Sequence, residues 1–226
     1  MFSDKSTLLL DMNSTFMFGE DRFGASEDFS KHYHEIGGTL STTGINTIIR
    51  LVYDYLDEIY PDEKYRHAFP SIASTIKKII THELPEDEIS KIVDTFAFHE
   101  IGDISEIHIK ALHKLSSEFQ LALVIDIWSP KLRWCNLFEE LGIHKLFSAA
   151  SFSSDHGMVK PSPKPFELII EQLGINKHEA LVIGDSVRRD LGGASLAGIE
   201  CVLVGGAKNS SAVKCYDSLI AFSHEL

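Results

Sequence analysis

The sequence predicts an α/β fold: a three-layer core on a parallel sheet, with a mainly helical insertion after the first strand. Leu8-Leu9-Leu10 is a short apolar run that stops at Asp11, and Ala180 to Ile183 is another that leads through Gly184 to Asp185. Runs of this kind, ended by a turn, are how parallel strands buried on both faces read in sequence. Regular alternation of strand and helix begins only near residue 116, whereas residues 16 to about 115 carry no strong strand run. One early strand, a helical block and a resumed sheet imply an insertion. Residues 1–16 and 116–226 are read as the core and 17–115 as the inserted domain.

Within the insertion, Ile45, Ile48, Ile49, Val52, Leu56 and Ile59 recur at helical spacing, as do Ile72, Ile76, Ile79 and Ile80. Pro85-Glu86-Asp87-Glu88 places proline and acids in a first turn, ahead of Ile89, Ile92, Val93 and Phe96. In the core, strands are expected at Leu121–Ile125, Phe147–Phe152, Ala180–Ile183 and Cys201–Val204. Helices are expected at Lys131–Leu141, Pro165–Leu173 and Arg189–Ala197, closed by Gly142, Gly174 and Gly198. Glycine suits the left-handed position past a helix end. Strands alternating with such helices are βαβ units.

Length and composition narrow the function. A chain of 226 residues accommodates one large domain, or a core with an insertion. A formal charge of −12 leaves no basic footprint for nucleic acid or an anionic membrane, and no apolar run approaches a bilayer span. Cys135, Cys201 and Cys215 are scattered, which suits reduced thiols rather than a disulfide framework or a zinc site. With no leader-like N-terminus, a cytoplasmic protein is expected.

Two strands ending in Asp at the carboxyl edge of one sheet bring two carboxylates into a single crevice, where ligands of open α/β sheets bind. Oxygen donors of that kind suit a hard divalent cation. Four elements in order then resemble the haloacid dehalogenase-like (HAD) superfamily of hydrolases. Asp11-Met12-Asn13-Ser14-Thr15 resembles the nucleophile loop Asp-x-Asp-x-Thr; Ile125-Asp126 stands where Ser or Thr followed by Asn is usual. Lys160-Pro161-Ser162-Pro163 resembles Lys-Pro-x-Pro, and Gly184-Asp185-Ser186-Val187-Arg188-Arg189-Asp190 resembles Gly-Asp-Ser-x-x-x-Asp.

The resemblance implies a Rossmann-like core with a helical cap, Mg²⁺ as cofactor and a small phosphorylated substrate. It assigns Asp11 as nucleophile, forming an aspartyl-phosphate, with Asp11, Asp185 and the Asn13 backbone carbonyl holding the metal. Lys160 would neutralise charge on the phosphoryl group, Thr15 and Asp126 would lie against substrate, and Ser186 and Asp190 would support the site.

Two positions depart from the pattern. Asn13 replaces the carboxylate that would protonate the leaving group, and a carboxamide does not titrate near neutral pH. Ile125 stands where a hydroxyl would meet a phosphoryl oxygen, with Ser129 as an alternative donor. Three functions remain open. The first is a phosphohydrolase or phosphotransferase for leaving groups that need no protonation, or one drawing its acid from Glu20, Asp21, His32, His34 or Glu35. The second is a weakly active metal- and phosphate-binding regulatory protein. The third is a haloacid dehalogenase-type hydrolase, against which Gly184-Asp185-Ser186 argues. Arg22 is a candidate contact for a second substrate anion, and Trp128 a candidate for the mouth of the site.

Overall fold

The computed structural model describes residue 2 and residues 4–81 and 83–225. Six strands form one parallel sheet in the order β3-β2-β1-β4-β5-β6. They are β1 (Thr7–Leu10), β2 (Gln120–Ile125), β3 (Phe147–Phe152), β4 (Ala180–Gly184), β5 (Glu200–Leu203) and β6 (Lys214–Cys215). The chain builds outward from β1 on one side through β2 and β3, and on the other through β4 to β6. The reversal lies between β1 and β4, where an open α/β sheet leaves its ligand crevice. Leu10 pairs with Leu123 on one side and Ile183 on the other, so Asp11 emerges level with the ends of both neighbours.

The four central strands β2, β1, β4 and β5 are buried on both faces, and alternate residues sort into two cores. Leu8, Leu10, Leu121, Leu123, Ile125, Leu181, Ile183 and Val202 pack on one side, with Trp134 and Phe138 of helix α6 (Leu132–Glu140). Leu9, Ala122, Val124, Val182, Cys201 and Leu203 pack on the other, against α8 (Lys164–Leu173) and α9 (Gly192–Ala197). A single turn, α7 (Ser153–His156), follows β3, and α10 (Leu219–Glu225) packs beside α5 (Glu106–Glu118). Gly142, Gly174 and Gly198 all take left-handed φ, +70°, +65° and +73°, at the expected helix ends.

Between β1 and β2 lie α1 (Ser30–Glu35), α2 (Thr42–Ile59), α3 (Ile72–Ile79) and α4 (Glu86–Glu100), then α5. The first four share their own apolar core, built on Ile45, Ile48, Ile49, Val52, Leu56 and Ile59 of α2 with Ile72, Ile76, Ile89, Ile92 and Phe96. Ser41 and Ser71 accept hydrogen bonds from Gly44 N and Ser74 N, capping α2 and α3. The helix α5 behaves differently. Its Leu112 and Leu115 pack with the strands, and Ala97 near the end of α4 already belongs to that core. The apolar core of the cap thus reaches as far as Phe96, and α5 packs with the sheet. An amphipathic helix shows which face it buries but not against which partner.

The two connections between cap and core run side by side. Phe18 and Asp103 exchange backbone hydrogen bonds of 2.9 and 2.8 Å. Arg22 donates to the carbonyls of Gly19 (3.1 Å), Ile101 (2.6 Å) and Phe98, tying both connections together. Gly102 permits this approach: a Cβ there would lie 2.6 Å from Phe18 O and 2.9 Å from Glu20 N, both backbone atoms that cannot swing away. Gly102→Ala should thus push the connections apart and cost about 1–3 kcal/mol, as overpacking does. Urea denaturation checks this, and an unchanged midpoint would contradict it.

Candidate active site

At the carboxyl edge between β1 and β4, Lys160 is buried with 1% of its surface exposed. Its ammonium donates to Asp11 Oδ1 at 2.6 Å and to Asp190 Oδ1 at 2.7 Å. Burial works against the charge of Lys160, yet these two carboxylates hold its pKa above the usual lysine value. Asp11 is fixed by its own backbone N–H, which bonds Ile183 O at 2.9 Å and extends the β1–β4 ladder by one residue. A tight turn follows: the amides of Thr15, Phe16 and Met17 all reach Met12 O, and Ser14 takes a left-handed φ of +56°. This turn brings Thr15 Oγ1 back to Asp11 Oδ2, at 3.3 Å.

Asp185 leaves β4 beside Asp11. The carboxylates of Asp11, Asp185 and Asp190 each offer an oxygen within 4.8 Å of the others. The bond from Ser186 N to Asp190 Oδ2, at 2.9 Å, fixes Asp190 against the strand end. Gly184 is required here, because a Cβ would sit 2.3 Å from Asp190 Cγ. Burial, and then the charge of Asp190, raise the pKa of Asp185. Asp185 Oδ1 and Asn13 Oδ1 are buried without a hydrogen-bond partner among the described residues. Crowded carboxylates with an orphaned oxygen are the donor set a hard divalent cation takes, so the residues fit Mg²⁺.

Val187–Leu191 forms a π-turn ahead of α9, with Leu191 N as well as Asp190 N bonding Ser186 O. Such a turn takes up an extra residue within a helix. Asp190 turns to Lys160, while Arg188 and Arg189 reach the cap. The Arg188 guanidinium lies 5.6 Å from the centre of the Tyr60 ring, and Arg189 Nη2 lies 3.7 Å from Asp185 Oδ1.

The loop after β2 closes the other wall. Ile125 is a core residue, 1% exposed, so the apolar side chain at that position faces inward. Asp126 instead meets the site: its Oδ2 accepts from Lys160 N at 2.9 Å and from the hydroxyl of Tyr60, at the end of α2. Burial raises the Asp126 pKa to about 6, against the opposing pull of Lys160. Ser129 is fully buried, its Oγ has no partner among the described residues, and its N–H bonds Glu100 Oε2 at 2.9 Å. Glu100 Oε1 accepts from Trp128 N. One carboxylate at the end of α4 thus anchors the loop that carries Asp126. Trp128 packs on Tyr53, Tyr60 and Phe69 of the cap, at centroid distances of 5.6, 5.7 and 5.8 Å.

The structure brings together Asp11, Asn13, Thr15, Asp126, Lys160, Asp185, Ser186 and Asp190. It does not bring Arg22, whose guanidinium is spent on the connections, nor His32, which sits with Asp94 and Arg133. His34 bonds Leu40 O, and Glu35 is exposed. Glu20 stays near the Asp11–Thr15 loop, accepting from Ser14 Oγ at 2.9 Å. Tyr60, Glu100 and the two arginines were missed from sequence. Tyr60 and Glu100 lie in the insertion, where helical spacing reports burial and not the far side of an interface.

The family model for haloacid dehalogenase-like hydrolases matches residues 40–204, more than half of the chain. The chain belongs to that family. Hydrolases of the HAD family generally use a divalent metal. A glyceraldehyde 3-phosphate phosphatase of Methanopyrus kandleri is 37% identical over 82 residues, covering 36% of this chain and 32% of that protein. Pyrophosphatase PpaX of Halalkalibacterium halodurans is 33% identical over 100 residues, 44% of each chain. The chain thus spans less than half the length of these curated relatives. In fold, the magnesium-bound HAD-hydrolase YfnB of Bacillus subtilis superposes over 98% of both chains, with a TM-score of 0.62 at 18% identity. Among the described residues, no helix is long and apolar enough to cross a membrane.

Glu100 generates a pH dependence. Burial, and then the charge of Asp21, raise its pKa from 4.5 to about 7. A carboxyl whose folded pKa is raised stabilises below its unfolded value, and that stability is lost as pH rises through the folded value. Folding stability should therefore fall between pH 4.5 and 7. The Glu100 contribution has a limiting slope of about 1.4 kcal/mol per pH unit. Denaturant titrations across this window should show a shallower decline in Glu100→Gln; an identical decline would exclude Glu100 as its source.

Proposed function

We propose that this HAD-family chain is a Mg²⁺-dependent phosphohydrolase or phosphotransferase that acts on a small phosphorylated metabolite through an aspartyl-phosphate on Asp11. One observation carries the reading: a nucleophile-type carboxylate at the sheet's switch point, held 2.6 Å from a buried ammonium and clustered with two further carboxylates. The partial matches to a phosphatase and a pyrophosphatase support the same class.

Asp11, Asp185 and the backbone carbonyl of Asn13 would hold the metal, with Asp190 and Ser186 as supports. When bound, Mg²⁺ supplies charge neutralisation for the carboxylates and the phosphoryl oxygens. The residues do the rest. An Asp11 oxygen attacks phosphorus as the bond to the leaving group breaks, dividing one displacement into two. Lys160 stays protonated throughout and faces the developing charge as a fixed cation. Thr15 and the buried Asp126, with Tyr60 above it, line the phosphoryl pocket. Water then cleaves the acyl phosphate and restores Asp11.

Asn13 leaves the first step without a carboxylic proton donor at the usual position. Leaving groups of low pKa, such as an acyl or aryl phosphate, depart without protonation. Glu20, which accepts from the hydroxyl of Ser14, the residue after Asn13, is a candidate carboxyl for more basic leaving groups. Retention of Asp185 opposes a dehalogenase, which needs no such carboxylate set. Asn13 favours the second reading, a metal- and phosphate-binding protein of little turnover.

Hydrolysis of p-nitrophenyl phosphate and acetyl phosphate, compared with an alkyl phosphate, separates these readings. The wild type should turn over the activated substrates with Mg²⁺, and Asp11→Asn should abolish this. General acid–base help is worth about 10²–10⁴-fold, so Asn13→Asp should raise alkyl phosphate turnover by up to that factor. Turnover surviving in Asp11→Asn would refute the mechanism, and wild-type silence relieved by Asn13→Asp would favour the binding protein.

A further inference from the structure

The chain has six arginines, and four are committed to hydrogen bonds with the protein. Arg22 holds the carbonyls of Gly19, Ile101 and Phe98; Arg50 holds those of Gly24 and Glu27; Arg66 pairs with Glu63; and Arg133 grips Asp94. Arg188 and Arg189 differ. Among the described residues, neither guanidinium donates to a carbonyl or carboxylate at hydrogen-bonding distance. The ion pair of Arg189 with Asp185 is 3.7 Å long, beyond that distance, and Arg188 rests on the face of Tyr60. Both lie on the π-turn between the carboxylate cluster and the cap. The Arg189 side chain is 31% exposed, and its charge is felt by the Tyr60 hydroxyl and by the carboxylates of Asp11, Asp190 and Asp185.

A guanidinium presents a planar fork that matches a carboxylate or phosphate through two parallel hydrogen bonds. The reacting phosphoryl group already has its cation in Lys160. The arginine pair stands next to that centre, Arg189 beside Asp185 and Arg188 against Tyr60 of the cap. We propose that Arg188 and Arg189 form a second anion subsite, selecting substrates that carry a further acidic group close to the phosphoryl. This rests on the reading of the site as a phosphoryl-transfer centre. The shared chemistry is a second anionic oxygen group, supplied either by a carboxylate or by a second phosphoryl.

Three non-hydrolysable probes test the proposal by calorimetry with Mg²⁺, so that binding is read apart from turnover. Methylphosphonate carries the phosphoryl group alone, phosphonoacetate adds a carboxylate, and methylenediphosphonate adds a second phosphoryl. The wild type should bind at least one of the doubly acidic probes roughly tenfold or more tighter than methylphosphonate, the worth of a charged hydrogen-bonded pair. Tighter phosphonoacetate alone identifies the carboxylate source, and tighter methylenediphosphonate alone the second phosphoryl. Arg188→Gln, at an exposed position, and Arg189→Gln should each shrink that advantage, while Arg189→Lys should recover only part of it, since it keeps charge without the fork. Equal wild-type affinity for all three probes, or an advantage undiminished in both glutamine variants, overturns the second subsite. Failure of every probe to bind, methylphosphonate included, overturns the phosphoryl-site reading itself.

Discussion

The buried Lys160 ammonium, shared between Asp11 and Asp190, is the interaction on which the rest of the site depends. Three ionised groups have been withdrawn from water together, and each is tolerable only because the others are present. Removing the lysine would strand two carboxylates; removing either carboxylate would leave the lysine with half its compensation. The fold is arranged to hold this group of three: β1 delivers Asp11, β4 and the π-turn deliver Asp190, and the loop carrying Lys160 is tied at its own N–H to Asp126. Gly184 is glycine because the Asp190 carboxylate occupies the space a side chain would need.

The same logic runs outward to the cap. Asp126 accepts from Tyr60, Glu100 anchors the backbone at Trp128 and Ser129, and Arg22 binds the two connections together. Val159, the residue before Lys160, packs in the cap's apolar core, and its N–H bonds Arg66 O of the cap at 3.0 Å. Cap and the loop carrying Lys160 are consequently joined by specific hydrogen bonds as well as apolar contact.

Much of this was legible in the sequence because it is written in short-range patterns. Asp11 and Asp185 each close an apolar run, the glycines mark helix ends, and the Gly-Asp-Ser stretch carries Asp190 at a fixed offset. Less was legible where the information lies in long-range packing. Helix α5 has an amphipathic pattern that suits the cap or the sheet equally, and only the packing of its Leu112 and Leu115 with the strands distinguishes them. The strand β6 has only two residues, too few for a periodicity. Glu100 was invisible because its partners are backbone amides on another element, which leave no residue signature. Arg22 resembled a ligand contact but is spent on carbonyls, a distinction no spacing encodes.

The account turns on Asp11 becoming phosphorylated in a site whose usual acid is an asparagine. The most direct measurement is mass spectrometry of the Asp11 peptide after brief exposure to acetyl phosphate and Mg²⁺, quenched in acid to preserve the acyl phosphate. A phosphoryl group on Asp11, absent in Asp11→Asn and accumulating because Asn13 activates water poorly, is the predicted result. Turnover of acetyl phosphate with no modification at Asp11 at any time point would contradict the account.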